Sequence, residues 1–251
     1  MMDGPLYLYG VIPASTDVTF GRMGIGRDAP AVFAIVVGDV ACVASAWEED
    51  TVPATAPYVQ GHERVLLTVF ERHPVVPFEF GTVAPDVSQV ERLLRANRYR
   101  LRLALKKVDG KAEMQLIVSW RNMPQIFEEI LKEHHAIARY RQQILKRSPE
   151  ATYQDRIQIG EMIAEALSHN KTQAAQQLVK DLRHHALKLV CEEPIGDAVV
   201  LRAFCLVMKD QIGSFEQGLS SMDERFKGRF DWNYTGPLPC YHFAQVPLKL
   251  S

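Results

Sequence analysis

Eight histidines, four cysteines and thirty carboxylates are the groups here that could bind a metal or move a proton. Their spacing decides what they can do. His62-Glu63 opens like the zinc-binding helix of a metalloprotease, but that chemistry needs a second histidine one turn later, and Leu66 stands there. His134-His135 and His184-His185 are sequence neighbours. On a helix such neighbours point about 100° apart and cannot face one ion. One member of each pair falls on an apolar seam, where a hydrogen-bonded core histidine is the expectation. Cys42, Cys191, Cys205 and Cys240 are scattered with no Cys-x-x-Cys pair, and read as separate core thiols. Gly21, Gly24 and Gly26 lack the spacing of a phosphate-binding loop. No Gly-x-Ser-x-Gly occurs. Glu48-Glu49-Asp50 and Glu192-Glu193 fall in expected turns, as solvated surface. No catalytic, cofactor-binding or metal-binding residue is assigned, and no cofactor is expected.

Apolar residues make up 47% and charged residues 24% of 251 positions, an ordinary balance for a folded chain. A net charge of −1 gives no global attraction to nucleic acid or to an anionic membrane. Basic residues do concentrate in Arg92–Lys107 and Arg139–Arg147, which reads as the wet side of helices. The start, MMDGPLYLYGVIP, lacks the basic and long apolar regions of a signal peptide. The apolar run Ala198–Met208 is far short of the ~20 residues that span a bilayer. A cytoplasmic location is expected, without nucleic acid or lipid membrane as partner.

The elements that would position these groups follow from periodicity. Leu6–Ile12 reads as a strand, and Pro13–Asp28 as a loop. Val32–Val37 and Val40–Ala46 flank Gly38-Asp39 as a hairpin with both faces covered. Tyr58–His73 has helical spacing and stops at Pro74. Val75–Phe80 is a short strand. A helix is expected from Asp86 or Ser88 to Lys107. Ala112–Trp120 alternates, with Met114, Leu116, Val118 and Trp120 inward and Glu113, Gln115 and Ser119 on a wet face. Pro124–Arg147 reads as one helix. Ser148-Pro149 opens another toward Cys191, about 40 residues long with breaks expected. Ala198–Met208 is a central strand, and Ile212–Phe226 an amphipathic helix closed by Gly228. Phe230–Tyr234 is a last strand, which Pro237 and Pro239 should end.

Four segments together resemble the GvpF/GvpL family of gas vesicle proteins. Leu6–Pro13, with Tyr9 and Gly10, is similar to its opening tyrosine-rich strand. Tyr58, His62, Glu63 and Val65 resemble its first-helix motif. The run Val76 to Thr82, with Pro77, Phe80, Gly81 and Thr82, resembles its strand-and-turn ending in Phe-Gly-Thr. The family usually carries a basic residue where Glu79 stands. Residues 235–243, with Gly236, Pro237, Pro239, Tyr241 and Phe243, resemble its closing motif, with Leu238 and Cys240 as departures. These residues are expected to serve architecture or partner contact. Gly81 should supply a special backbone angle, Pro237 and Pro239 stiffen the tail, and Tyr241 and Phe243 pin it.

The resemblance implies an α+β protein of two domains with ferredoxin-like sheet-and-helix units, the second elaborated by long helices. The expected divisions are 1–85, 86–236 and an extended tail over 237–251. It implies a non-enzymatic accessory role in gas vesicle formation, with the shell protein GvpA and other accessory proteins as partners. Whether such a protein stays in the shell is left open. The alternative is a small-ligand binder or enzyme on a ferredoxin-like fold. An RNA-binding reading would need exposed aromatics beside basic residues, with Trp232 and Tyr234 as candidates.

Overall fold

The computed structural model describes residues 4–14, 18–49, 51–148 and 152–247. Contacts divide the chain into two units. The first comprises Met1–Met114, Leu206–Asp210 and Gly236–Ser251; the second comprises Gln115–Cys205 and Gln211–Thr235.

The first unit is built on β1 (Leu6–Pro13), β2 (Thr19–Arg22), β3 (Ala31–Val37) and β4 (Val40–Ala46), then helix α1 (Ala56–Arg72). The short strands β5 (Val76–Pro77) and β6 (Val83–Ala84) and helix α2 (Val87–Val108) follow. The sheet order is β2-β3-β4-β1-β5, with β6 also pairing with β1. β1 pairs with β4, β5 and β6, and β3 with β2 and β4, all antiparallel. β1 lies inside the sheet, and Leu6 to Ile12 are all buried. That is why its sequence is a continuous apolar run rather than an alternating one. α1 buries His62, Val65, Leu66, Val69 and Phe70, and α2 buries Val90, Leu93, Leu94, Leu101, Leu105 and Val108. Asp86 caps α2, its carboxylate accepting from the Gln89 amide at 2.7 Å.

Several expectations for this half change. The segment expected as a loop over Pro13–Asp28 contains β2, which adds to the sheet edge on β3. β3 itself is not covered on both faces: Val36 is exposed, and only Val32 and Ile35 are buried. The strand expected over Val75–Phe80 is confined to Val76–Pro77. α2, expected to open a second domain at residue 86, packs against β1, β3 and β4 of the first sheet. Its apolar stripe has that sheet to cover, so the contacts divide well beyond residue 85.

The second sheet comprises β7 (Lys111–Trp120), β8 (Lys188–Glu192), β9 (Val199–Met208) and β10 (Phe230–Leu238). Helices α3 (Met123–Glu133), α4 (His135–Leu145) and α5 (Tyr153–Leu182) lie between β7 and β8, and α6 (Ile212–Arg225) between β9 and β10. The strand order is β10-β7-β9-β8. A β-α-β-β-α-β chain whose first and third strands are central is the ferredoxin-like arrangement, here with three helices in place of the first one.

The expected helix over Pro124–Arg147 is two helices, broken at His134, whose φ of −107° and ψ of 77° leave the helical region. His134 is exposed rather than on a seam. The next helix has 30 residues and ends at Leu182, because β8 takes the residues assigned to its last turns. The N-cap expectation at Ser148-Pro149 falls partly outside the described residues. Ala164, expected on the seam of α5, is exposed; Leu167, Leu178 and Leu182 are buried. β10 continues through Pro237 to Leu238. It is an edge strand, where a missing N–H costs no ladder bond.

Candidate functional site

The residues that carried the sequence resemblance gather at two places in the first unit. At the first, Tyr7 and Tyr9 point to one face of β1 because they are two residues apart. α1 lays His62 against them. The Tyr7 hydroxyl is 2.7 Å from His62 Nδ1, and it accepts the Gly81 amide at 3.1 Å. Tyr9 meets Ser45 Oγ at 3.0 Å and accepts the Ile25 amide at 2.8 Å. The Tyr9 and His62 rings stack at 5.8 Å, with Phe80 edge-on to His62 at 5.8 Å.

Burial pulls the His62 ring from 6.5 to about 4, opposed by a hydrogen bond to the Phe78 backbone. A neutral imidazole has one N–H. With that N–H given to Phe78, bare Nδ1 accepts the Tyr7 proton. Tyr7 and His62 thus hold the 78–81 turn at both ends. Burial pushes both tyrosine phenols up. None of the three is solvent-accessible: Tyr7 and Tyr9 are fully buried and His62 is 4% exposed. A proton-transfer group needs access to its substrate, so these perturbed values mark a satisfied core.

The backbone explains the remaining motif residues there. A Cβ on Gly10 would lie 2.7 Å from the Val76 carbonyl, where β1 meets β5 with Gly10 opposite Pro77. Gly81 has φ +87°. The Thr82 hydroxyl donates to the Glu79 carbonyl at 2.7 Å, and its own carbonyl accepts from Leu8. Glu79 is exposed and contributes to this turn through its backbone. Its departure from the family's basic residue therefore leaves the turn intact. Glu63 is exposed, as its helical position suggests.

The second place is where residues 236–244 return to β7. Glu113, expected on a wet face, is 1% exposed. Its carboxylate accepts the His242 amide at 2.8 Å and lies 2.7 Å from His242 Nδ1. The alternation misplaced it because the returning segment covers that side of β7. Phe243 is buried, and a Cβ on Gly236 would sit 2.5 Å from Met114 Sδ. Burial first, then the charges of Glu63 and Glu113, push the Tyr241 phenol up. Burial pushes the Cys240 thiol up to about 12, so it is not a thiolate at neutral pH.

The second unit has a groove of about 720 Å³. Ile163, Leu167 and Val179 of α5 form one wall; Cys191, Pro194 and Val200 form the other. Beside it, β8 is the edge strand of its sheet and mostly exposed. Leu187 and Ile195 at its flanks are 53% and 79% exposed. No signal in the sequence marked this groove, since its residues come from distant segments. Among the described residues, no group of three or more His, Cys, Asp or Glu is placed to hold a metal. No described helix is long and apolar enough to cross a membrane.

Residues 5–245 match the family described as gas vesicle synthesis protein GvpL/GvpF. The chain belongs to the GvpL/GvpF family. Gas vesicle protein F of Microcystis aeruginosa is 25% identical over 96% of this chain and 98% of its own length. That of Haloferax mediterranei is 24% identical over 98% and 95%. Two crystal structures of GvpF show the same fold. The Anabaena protein has a TM-score of 0.81 at 22% identity, covering 97% of this chain and 99% of its own. The Microcystis aeruginosa protein has a TM-score of 0.76 at 24% identity, covering 96% and 99%. A GvpL/GvpF chain has a role in gas vesicle formation. The buried tyrosine–histidine cluster and the Glu113–His242 contact each tie together segments of the first unit that are distant in sequence.

Proposed function

We propose that this protein is a non-enzymatic assembly factor of the gas vesicle, acting in the cytoplasm, that holds the apolar shell protein GvpA or another accessory protein. The observation that carries this reading is the apolar groove between α5 and β8, beside an open sheet edge, in a chain of this family. Shell subunits that exclude water have apolar surface to hide before they assemble. A groove takes an apolar helix face, and an edge strand takes an extended segment by backbone pairing.

A groove of this size also suits a small ligand, the second reading. One experiment separates the two. The full chain and a Leu167→Glu, Cys191→Lys variant, with one change on each wall of the groove, are tested for retention of soluble GvpA. Loss of retention in a variant that still melts cooperatively supports the assembly reading. Retention unchanged, or no retention by the parent chain, sinks the groove as the shell-protein site. A saturable thermal shift with small apolar compounds, without GvpA retention, favours the ligand reading.

A further inference from the structure

α2 carries seven basic side chains between Arg92 and Lys107 and a single acidic one, Glu91. The whole chain has net charge −1. This helix is therefore a cationic island on an otherwise anionic protein. Its buried residues fix the opposite face outward. At helical spacing, Arg92, Ala96, Tyr99, Leu103 and Lys107 fall along one outward line. Arg95, Arg100 and Lys106 flank that line, which is roughly 22 Å long at the rise of an α-helix.

The fold uses only part of this charge. Arg98 and Arg102 share Asp39 at 2.6 and 3.7 Å, and Arg95 pairs with Glu91 at 2.8 Å. Among the described residues no carboxylate lies within 4.0 Å of Arg92, Arg100, Lys106 or Lys107. In the middle of the line Tyr99 is 66% exposed and Leu103 48% exposed. They are four residues apart and so form one apolar spot. A solvated basic helix has no need of that spot, and like charges along one face repel each other.

We propose that this face of α2 docks an acidic amphipathic helix of a partner protein. The partner's apolar residues would sit on Tyr99 and Leu103, and its carboxylates on Arg92, Arg100, Lys106 and Lys107. Charge complementarity selects this occupant. A single-stranded nucleic acid wants several aromatic platforms in succession, and the line offers one. The site is in the first unit and its chemistry is ionic with an apolar centre, so it is separate from the groove assigned above.

The test uses the full chain and a labelled synthetic helix of about 18 residues, with a leucine stripe bordered by glutamates. Anisotropy is read at low and moderate salt. Binding of this peptide is expected to be at least roughly ten-fold tighter than that of a scrambled peptide of equal composition. The triple variant Arg100→Glu, Lys106→Glu, Lys107→Glu should lose about ten-fold or more and flatten the salt dependence. Tyr99→Ala with Leu103→Ala should weaken binding and keep that dependence. Each variant changes exposed positions; Glu at 106 and 107 opposes the helix dipole in the last turn of α2, so a cooperative melt rather than an unchanged midpoint shows that the fold is kept. Equal binding of the scrambled peptide, no binding of either, or tighter binding of oligothymidine or of anionic lipid vesicles would overturn the proposal.

Discussion

His62 is neutral in the folded chain because burial holds its ring at about 4, against 6.5 in the unfolded chain. Between those values the unfolded chain takes up a proton that the folded one refuses. Stability is therefore full above pH 6.5 and declines as pH falls toward 4, by up to about 3 kcal/mol. Urea midpoints measured across this window should show the decline, and His62→Leu should flatten it although it lowers the plateau. An unchanged slope in the variant would assign the acid sensitivity elsewhere. Gly10→Ala forces a methyl onto the Val76 carbonyl and should cost about 1–3 kcal/mol. Glu113→Ala removes the acceptor of two contacts from His242. It should cost about 1–3 kcal/mol and speed amide exchange at His242. Exchange at His242 equal to that of the parent would show that the carboxylate does not hold this segment.

Regular elements were legible where one physical cause sets the pattern. β1, β4, α1, α2, β9 and α6 each announce themselves by a burial period or a stop signal, and lie within a few residues of expectation. Failures occur where distant chain decides burial. Glu113 alternates as a wet residue until residues 236–244 cover it, and β8 reads as helix until β9 gives it a partner. Likewise the helix over Pro124–Arg147 breaks at His134, a residue no breaker rule would select. Tyr7 was missed beside Tyr9 although a spacing of two on one strand should have paired them. α5 illustrates the consequence of uneven burial. Leu178→Ala in its fully buried part should cost about 2–5 kcal/mol. Ile157→Ala, at a 44% exposed position, should stay within about 0.5 kcal/mol. Equal costs in thermal melts would show that the first half of α5 is held more firmly than its exposure implies.

At the scale of the whole molecule, the division of contacts sets what can be cut from it. A fragment ending at residue 85 lacks α2, whose six buried apolar side chains belong to the first unit. That fragment should show neither cooperative melting nor dispersed amide signals, whereas the full chain should show both. A well-folded 1–85 fragment would mean that β1–β6 and α1 are self-sufficient. Partner mapping is accordingly better done with point variants of the full chain than with pieces. The α2 face is cationic, whereas the groove is largely apolar with Lys171, Glu192, Glu193 and Asp197 in its lining, so raising salt should weaken binding more at α2 than at the groove.

The closing segment also places a clock on synthesis. The first unit takes in Gly236–Ser251, so its strands wait for residues made much later to complete their surroundings. Until His242 leaves the ribosome, the Glu113 carboxylate lacks the two contacts it makes there in the finished chain. A polypeptide released before residue 242 lacks both contacts and should be the less stable for it.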